Sequence, residues 1–410
     1  MMGLAEVFPR ILGHDVPVEF RAYDGSRAGR AGADVSIEIR SPLAMSHLAA
    51  APGELGLARA YVTGALEVHG DMYTALSSFP AITVSDVPLK TRLALMARLG
   101  GLRLWWPVRP PAQEYRPRGW RHSKRRDSLS ISHHYDVSNR FYEWVLGPSM
   151  AYTCAVYPEA GSSLEEAQFT KHDLVARKLG LAKGMRLLDV GCGWGGMVMH
   201  AAKHYGVRAL GVTLSRQQAQ WAQKAIAERG LADLAEVRHL DYRDVRETGF
   251  DAVSSIGLTE HIGAAQLPAY FSFLHDKLKP GGRLLNHCIT RPDGSHGSRP
   301  GKFIGRYVFP DGELEPVGTL VSAMNDNGFE VRHEENLREH YALTLAGWCA
   351  NLDANWSAAV QEVGPERARV WRLYMAACRL GFELNVVQLH QVLGVRLDGT
   401  DARMPLRPAW

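Results

Sequence analysis

A glycine-rich segment is the first part of this chain whose residue types suggest ligand chemistry. Residues 187–196 read LLDVGCGWGG. Gly191, Gly193 and Gly196 in this segment match the pattern G-x-G-x-x-G between an apolar strand and a helical stretch. Glycines in this context let a nucleoside come close to the backbone, although they could also simply make a tight turn. We favour a cofactor site, and we include Asp189 in it.

The next two predicted strands indicate which cofactor fits. A dinucleotide site usually has Asp or Glu at the end of the second strand to bind a ribose, and VRALGVTLSRQQ has neither there. It offers hydroxyl and amide groups from Thr213 to Gln218 instead. The third strand ends in Asp241, Tyr242 and Arg243, which could flank an adenine. These features favour S-adenosylmethionine over NAD and predict a Rossmann-like class I methyltransferase domain.

Several longer segments carry more information than the glycine turn. They occur in the order ISHHYDVSNRFYEWVLGPSMAYTCAVYPE (from Ile131), AQFTKHDLVARKLGL, LLDVGCGWGG, GVTLSRQQ, LDYRD, GLTEHIG, NHCIT, REHYALTLAGW and AACRLGFELNVVQLHQ. Together they resemble the cyclopropane fatty acid synthase family, over almost the whole chain. The resemblance implies transfer of a methyl group from S-adenosylmethionine to the cis double bond of an unsaturated acyl chain, usually one esterified in a phospholipid.

The resemblance also implies roles for individual positions. The family's cofactor-binding positions carry Tyr152, Thr153, Gly191, Gly193, Thr213, Gln218, Tyr242 and Arg243. Its bicarbonate-binding positions carry Cys154, Glu260, His287, Ile289 and Tyr341. In this chemistry bicarbonate is the base. Glu260 would accept a proton from the anion, His287 would donate or relay one, and Tyr341 would donate a hydrogen bond. The main chain of Cys154 and Ile289 would complete the cage.

Some of these residues also have a purely structural interpretation. His287 could be a core histidine, and Tyr341 could serve packing alone. Glu260 could form a local ion pair with His261. Taken together they favour function, because methyl transfer to an alkene leaves a carbocation that must be kept from water and then lose a proton. Aromatic faces can stabilise that cation. The candidate aromatic residues are Tyr307, Phe309, Tyr341 and Trp348.

The same carbocation can give a cyclopropane ring or a methylene branch. The chain has Thr259 where an aromatic residue more often precedes the glutamate in the family. Its GLTEHIG and LREHY segments look like the actinobacterial branch associated with 10-methylene and 10-methyl (tuberculostearic) acids. We therefore favour a methylene-branched product. A methyltransferase acting on a soluble small molecule and a catalytically silent lipid-binding relative are the alternatives.

Alternating strands and helices must position these residues. From about residue 130 onward, strands are predicted at MRLLDVG, VRALGVTLS, AEVRHLDY, FDAVSSIG and GGRLLNHCIT. This pattern predicts an α/β fold with a mostly parallel sheet that binds its ligand at the carboxyl ends of the strands. Period-two segments around one helical block predict a smaller N-terminal α+β domain. The predicted boundaries are 1–105 for this domain, 106–129 for a linker and 130–410 for the catalytic domain.

The linker and the segment before it are basic. Residues 88–105 have leucine and methionine at helical spacing with lysine and arginine between them, which predicts a basic amphipathic helix. Lys124, Arg125 and Arg126 follow, near tryptophan and tyrosine. We interpret this region as a foothold on the surface of an anionic phospholipid membrane, although a solvated linker is an equally good interpretation.

The composition sets limits on partners. Of the 410 residues, 46% are hydrophobic and 22% are charged, as in folded proteins with a sizeable core. The net charge of +4 is too small to argue for nucleic acid. No signal-peptide pattern occurs, so we expect a cytoplasmic enzyme at the inner face of the cell membrane. Five cysteines without C-x-x-C spacing argue against metal and disulfides, and we expect Cys378 to serve packing. A homodimer is one possible oligomeric state, and the sequence does not choose it over a monomer.

Overall fold

The computed structural model describes residues 3–6, 16–79, 108–115, 126, 138–295, 297 and 299–410. The predicted basic helix, Lys124, Arg125 and the residues just after Ile131 lie outside these ranges. The strands are β1 (Glu19–Ala22), β2 (Arg27–Gly29), β3 (Ser36–Ile39), β4 (Leu66–His69), β5 (Arg186–Val190), β6 (Arg208–Thr213), β7 (Ala235–His239), β8 (Phe250–Ile256), β9 (Leu278–Thr290), β10 (Phe329–Asn336) and β11 (Gln388–Arg396). The helices are α1 (Pro42–Ala50), α2 (Glu54–Val62), α3 (Met72–Ser77), α4 (Asn139–Leu146), α5 (Leu164–Leu179), α6 (Gly196–Tyr205), α7 (Arg216–Glu228), α8 (Leu267–Lys277), α9 (Ile304–Tyr307), α10 (Val317–Asp326), α11 (Arg338–Ala354), α12 (Trp356–Val363) and α13 (Pro365–Glu383).

The chain divides into two compact units. The first consists of Met1–Arg116, Gly301–Val308 and Leu352–Leu380, and the second of Pro117–Pro300, Phe309–Asn351 and Gly381–Trp410. The first unit therefore takes in two stretches from the second half of the chain. The continuous boundaries derived from the sequence stay a prediction, since most of the linker lies outside the described residues.

The first unit contains a four-stranded sheet in the order β2-β1-β3-β4. β1 pairs with β3 in parallel, whereas β1 with β2 and β3 with β4 are antiparallel. The unit contains helices and strands, as predicted for an α+β domain. The prediction of a single helical block is wrong. The block forms two helices, α1 and α2, because the chain turns before Gly53, whose φ of +91° does not fit a helix.

Helix α13 is bonded to the rest of the first unit through two of its arginines. Arg369 donates to the Glu67 carboxylate at 2.5 Å and to the Tyr61 carbonyl at 3.1 Å. Arg372 donates to the Gly70 carbonyl at 3.0 Å. The Arg369 and Glu67 side chains are only 15% and 13% exposed, so this ion pair is largely shielded from solvent. These bonds explain how a late helix belongs with the N-terminal sheet.

The second unit is built on a seven-stranded sheet in the order β10-β11-β9-β8-β5-β6-β7. Strands β5 to β9 pair in parallel, whereas β11 lies antiparallel between β9 and β10. The mostly parallel sheet and its five predicted strands are confirmed, and β10 and β11 are additions to them. The strand order changes direction at β5, which lies between β6 and β8. Sheets of this kind open a crevice at that point, outside the carboxyl ends of the strands.

Helices cover both faces of this sheet. Leu187 of β5 packs in a cluster with residues of α5, α6 and α7, whereas Leu188 packs with residues of α8 and α10. Both leucines are fully buried. A strand that is buried on both faces carries a continuous apolar run, which is why an acid at its end, Asp189, stands out in the sequence.

Helix α5 begins and ends at strong local signals. Ser163 and Glu166 form a capping box at its start, with bonds of 3.2 and 2.8 Å between each side chain and the other residue's amide. Gly180, with a φ of +67°, ends the helix in a left-handed turn. These caps set where α5 begins and ends along the chain.

No helix in the described ranges combines the length and the apolar character that spanning a membrane requires. The described side chains of His, Cys, Asp and Glu also form no group of three or more that could hold a metal ion.

Candidate active site

A cleft opens at the carboxyl ends of β5, β6, β7 and β8. It contains about 1060 Å³ of space, which includes solvent space at its open mouth. All the residues predicted to bind the cofactor line this cleft. They are Tyr152, Thr153, Asp189, Gly191, Gly193, Gly196, Thr213, Gln218, Tyr242 and Arg243. The fold thus brings residues from four separate stretches of the chain to one place.

The glycine turn joins β5 to α6 and presents backbone to the cleft. Gly191 has a φ of +71°, a conformation that other residues rarely adopt. A Cβ at this position would also lie 3.1 Å from the Cβ of Leu258. Backbone geometry and close packing therefore both require glycine here.

Asp189 is a buried acid at the end of β5. It is 3% exposed, and its Oδ1 accepts a hydrogen bond of 2.6 Å from the Ser254 hydroxyl. Burial raises the pKa of Asp189 to about 7, while the Ser254 hydrogen bond and the Lys171 charge oppose this rise. A carboxyl group in this position can bind the ammonium of an amino-acid tail.

Polar side chains after β6 and β7 are already bonded to each other. Thr213 Oγ1 donates to Gln218 Oε1 at 2.8 Å. Arg243 donates to both carboxylate oxygens of Asp241, at 2.8 and 2.6 Å. The guanidinium also lies 5.5 Å from the ring centroid of Tyr242. The groups predicted to surround a nucleoside therefore hold one another in place.

Helix α5 holds the loop that carries Tyr152 and Thr153. The side-chain amide of Gln168 donates to the Thr153 carbonyl at 2.9 Å. Lys171 Nζ donates to Thr153 Oγ1 at 3.0 Å and contacts His172 Nε2 at 2.9 Å. Lys171 is 1% exposed, and burial lowers its pKa to about 8. This helix therefore orients one wall of the cleft.

Glu260 and Ile289, two residues of the predicted bicarbonate site, are in direct contact. The Ile289 amide donates to Glu260 Oε1 at 2.7 Å. Glu260 Oε2 is buried and has no hydrogen-bond partner among the described residues. Burial raises the pKa of Glu260 to about 7, and the bond from Ile289 opposes this rise. One carboxyl oxygen is therefore bound to β9, and the other can bind a ligand.

His287 lies two residues before Ile289 on β9 and is 1% exposed. Its Nδ1 contacts the side-chain nitrogen of Gln391 at 3.2 Å. Its Nε2 is buried without a hydrogen-bond partner in the part of the chain that the structure describes. Burial, together with the charges of Lys171 and Lys178, lowers the pKa of His287 well below its usual value. The ring is therefore a neutral imidazole. We use the name inner pocket for Glu260, His287 and Ile289, which we group because Glu260 bonds to Ile289 and His287 lies two residues earlier on β9.

Gly257 lies close to both the predicted cofactor loop and β9. The amide of Gly257, which lines the cleft, donates to the His287 carbonyl at 2.8 Å. A Cβ on Gly257 would lie 3.1 Å from the methyl carbon of Thr153. The main chain of Gly257 therefore contacts His287 on one side and the predicted cofactor loop on the other.

Cys154 and Tyr341, the other members of the predicted bicarbonate site, meet at Leu337. Cys154 Sγ contacts the Leu337 carbonyl at 3.7 Å, and the Tyr341 amide donates to the same carbonyl at 3.2 Å. The Tyr341 ring packs on Phe382, with centroids 4.4 Å apart. Burial raises the pKa of the Cys154 thiol far above its usual value, so this group stays protonated.

Three of the four predicted cation-stabilising aromatic residues lie in the second unit. Trp348 is 1% exposed, and its ring centroid lies 5.3 Å from that of Tyr152 and 6.0 Å from that of Tyr341. Phe309 belongs to the same unit, whereas Tyr307 belongs to the first. Trp348 thus connects an aromatic residue of the cleft with Tyr341.

Comparison with known proteins agrees with this arrangement. A model of the mycolic acid cyclopropane synthetase family matches residues 122–392. The chain belongs to the mycolic acid cyclopropane synthetase family. Across its full length it is 54% identical to the probable fatty acid methyltransferase Rv3720 of Mycobacterium tuberculosis, and the match covers 98% of that protein.

Solved structures of family members have the same fold. The cyclopropane synthase MmaA2 from Mycobacterium tuberculosis matches with a TM-score of 0.62 and 31% identity, over 65% of this chain and 98% of its own. The mycolic acid cyclopropane synthase CmaA1 complexed with SAH and CTAB matches with a TM-score of 0.61 and 33% identity, over the same shares. The chain is thus a methyltransferase that uses S-adenosylmethionine, and the predicted class I fold is confirmed. The roles of individual residues stay predictions.

In this family fold, Arg126 has a different place from the one predicted. Its guanidinium donates to both carboxylate oxygens of Asp311, at 2.7 and 2.6 Å. The two side chains are 12% and 7% exposed. The prediction that Arg126 is an exposed contact for lipid is therefore wrong. A Lys-Arg-Arg run is typical of a solvated segment. The partner that buries Arg126 is an aspartate 185 positions later, which the local sequence does not reveal.

Motif spacing did not predict three side chains of the site, Gln168, Lys171 and His172. All three are buried on α5, which also buries the apolar Leu174 and Val175. Burying polar groups costs free energy unless they find partners. Polar residues on the buried side of a helix are therefore the signal that could have found them.

Proposed function

We propose that this enzyme transfers the methyl group of S-adenosylmethionine to the cis double bond of an unsaturated phospholipid acyl chain, with bound bicarbonate as the base. The observation that carries the proposal is a pair of buried atoms, Glu260 Oε2 and His287 Nε2, that have no partner among the described residues. Buried polar groups in folded proteins are almost always hydrogen-bonded. A small polar ligand in the inner pocket would satisfy both atoms.

The cleft has groups that fit both ends of S-adenosylmethionine. Asp189 can bind the ammonium of the amino-acid tail, and Tyr242 and Arg243 can flank the adenine. Thr213 and Gln218 offer polar groups where a dinucleotide site would have an acid. When bound, the cofactor supplies an electrophilic methyl group. The chain itself orients this group, and such positioning can lower a barrier by several kcal/mol.

The inner pocket fits bicarbonate because its two open atoms differ in chemistry. Bicarbonate has an O–H that a carboxylate can accept and oxygens that an imidazole N–H can donate to. When bound, it would supply the base for the proton that the substrate loses. With a pKa of about 7, Glu260 can either accept a proton or hold one near neutral pH, as an efficient acid-base group should.

A cluster of aromatic rings next to the cleft suits a carbocation. The Tyr341 ring lies 6.0 Å from that of Trp348 and 4.4 Å from that of Phe382, and the three side chains are 8%, 1% and 2% exposed. Aromatic faces attract a cation without attacking it. The Cys154 thiol stays protonated, so this residue offers no thiolate as a competing nucleophile. We infer that these residues stabilise the cation and exclude water.

The names of the relatives support a lipid acyl chain as the substrate. Similar proteins are named as a fatty acid methyltransferase, a cyclopropane mycolic acid synthase and a sphingolipid C9-methyltransferase. We infer a peripheral enzyme at the inner face of the cytoplasmic membrane. Lys124 and Arg125 would provide the basic contact, since Arg126 is bonded to Asp311.

We infer a 10-methylene product from the side chain beside Glu260. The Thr259 hydroxyl donates to Asn286 Oδ1 at 2.5 Å, and the two residues are 5% and 0% exposed. A short side chain at this position would leave more room beside the base than an aromatic one. The cation could then take a hydride from the methylated carbon, and loss of a proton from the new methyl group would give the methylene. Ring closure loses a proton from the same methyl group without this shift.

Product identification tests the proposal. The enzyme is incubated with methyl-labelled S-adenosylmethionine and dioleoyl phosphatidylglycerol vesicles, with bicarbonate present or removed, and the released fatty acids are analysed by mass spectrometry. We expect labelled 10-methylene octadecanoate, and much less of it without bicarbonate. Cyclopropane fatty acid as the sole product would overturn the assignment of the branch. Label found only in a soluble acceptor would overturn the lipid substrate, and absence of any turnover would indicate a silent relative.

A further inference from the structure

A row of polar side chains leads from His287 toward the protein surface. Gln391 of β11 is fully buried, and its side-chain nitrogen contacts His287 Nδ1 at 3.2 Å. Its side-chain oxygen accepts a hydrogen bond of 2.8 Å from Lys178 Nζ of α5. Lys178 is fully buried and forms an ion pair with Glu335, whose side chain is 38% exposed. Neither the glycine turn nor the predicted bicarbonate site includes Gln391, Lys178 or Glu335.

Sheet register places three of these residues side by side. Gln391 pairs directly with His287 between β11 and β9, and with Glu335 between β11 and β10. Directly opposed residues on neighbouring strands point to the same face of a sheet. Lys178 reaches this row from α5 and contacts both Glu335 and Gln391. The contacts are therefore set by strand pairing and helix packing together.

The chemistry of the row fixes which way the Gln391 amide faces. An ammonium group has only hydrogens to donate, so the amide oxygen must face Lys178. The NH₂ group must then face His287 and donate to Nδ1. A ring nitrogen that accepts a hydrogen bond carries no proton, so the proton of the neutral imidazole is on Nε2. Nε2 is the ring atom without a partner in the described residues.

We infer that Lys178 and Gln391 are positioning residues that hold His287 as the Nε2–H tautomer. The catalytic consequence rests on the proposed function, because the Nε2–H group would then donate to an anion in the inner pocket. A neutral donor has an advantage over an imidazolium at this place. A positive ring would repel both a sulfonium cofactor and a cation on the substrate. The nearby charges of Lys171 and Lys178 disfavour the imidazolium in the same way.

Two substitutions separate this inference from a purely structural role. Gln391→Glu puts a carboxylate opposite Nδ1, and a carboxylate only accepts, so we expect the proton to move to Nδ1. Lys178→Met removes the group that orients the amide, so we expect a mixture of tautomers. In both variants kcat should fall by about 10- to 100-fold, the usual cost of disturbing a group that orients a ligand-binding histidine. The KM for S-adenosylmethionine should stay within about twofold, because the cleft is unchanged.

Nitrogen NMR of the full-length protein with labelled histidine measures the tautomer directly. The His287 signals are identified by their loss in His287→Gln. We expect wild type to show Nε2 protonated and Nδ1 unprotonated. Lys277→Met is a matched control, since Lys277 is also buried but donates to the Val245 carbonyl at 2.6 Å. It should leave the His287 signals unchanged.

Several outcomes would overturn the inference. Wild type with the proton on Nδ1 would do so alone, even if no variant folds. An unchanged tautomer in both Gln391→Glu and Lys178→Met would also do so. Calorimetry with S-adenosylhomocysteine tests the proposed function separately. If the wild-type protein shows the expected tautomer but does not bind S-adenosylhomocysteine, the proposed function is contradicted and the inference about the tautomer is not.

Discussion

The cleft and the inner pocket of the second unit satisfy their polar groups in different ways. In the cleft, Thr213 bonds to Gln218, so these groups have partners within the chain. In the inner pocket, Glu260 Oε2 and His287 Nε2 are buried without partners among the described residues. Unsatisfied buried groups cost stability and persist at places where a ligand completes them. The chain itself therefore preforms the cleft at these residues, whereas in the proposed mechanism a bound ligand would complete the inner pocket.

The largest effect is expected from Glu260→Gln. The amide cannot take up a proton, so product formation should fall about 1000-fold, within the range of general acid-base contributions. The affinity for S-adenosylhomocysteine should change less than about twofold, because the cleft is intact. Single-turnover kinetics and calorimetry measure the two quantities. Glu228→Gln, at a side chain that is 64% exposed, is the control and should leave both unchanged. Equal loss of binding and turnover would show that the two regions are not separate.

Above neutral pH, Glu260→Gln should have a higher free energy of unfolding than the wild-type protein. The folded protein keeps the proton on Glu260 up to about pH 7, whereas the unfolded chain releases it near 4.5. The folded state therefore binds more protons between these values, and wild type loses stability as the pH rises through that window. The difference corresponds to about 3 kcal/mol above pH 7, and Gln does not carry this cost. Urea unfolding at pH 5 and pH 8 measures it. A stability difference that does not change with pH would contradict the burial of an ionisable carboxyl.

A moderate effect, mainly on the cleft, is expected from Lys171→Met. The variant loses the bond to Thr153 that helps to hold the loop at the cleft, and the contact with His172 on the same helix. We expect roughly tenfold weaker binding of S-adenosylhomocysteine, in line with a charged hydrogen bond of about 1.5 kcal/mol. Turnover at saturating cofactor should change much less. Lys277→Met serves as the control. A drop in turnover without a change in affinity would assign Lys171 to the inner pocket instead.

The smallest effects are expected in the basic segment. Neutralising Lys124 and Arg125 should weaken binding to anionic vesicles by about 1 kcal/mol for each charge, and added salt should reduce the difference. Arg126→Gln should leave vesicle binding unchanged but lower the melting temperature, since it removes the guanidinium that donates to both oxygens of the buried Asp311 carboxylate. Sedimentation with vesicles and thermal unfolding separate the two results. Equal loss of vesicle binding in all variants would place Arg126 at the membrane after all.

Local patterns predicted the cleft well. The turn at Gly191 and Gly193 lies between a strand and a helix, and both glycines have positive φ values of +71° and +54°. Strands that alternate with helices form a parallel sheet, so residues at their carboxyl ends meet at one edge. All the residues predicted for the cofactor therefore line one cleft. Apart from Tyr152 and Thr153, which the family resemblance supplied, this prediction depends on residues close together in sequence.

Other features could not be predicted in this way. Gln391 faces His287 because β11 enters the sheet antiparallel beside β9 in one particular register. A shift of one residue would turn Gln391 to the opposite face of the sheet. The Arg126–Asp311 pair and the bonds of Arg369 to the first unit likewise join positions far apart in the chain. No local pattern carries that information.

The sequence by itself determined the α/β fold, the glycine turn and the class of cofactor, since each depends on backbone preferences and hydrophobic periods that act over a few residues. The tertiary structure alone decided that Glu260 bonds to Ile289, that His287 presents Nε2, and that Arg126 is an internal ion pair. The physical reason is that burial and hydrogen bonding depend on what surrounds a side chain. Those surroundings depend on strand register and helix packing, which exist only in the folded chain.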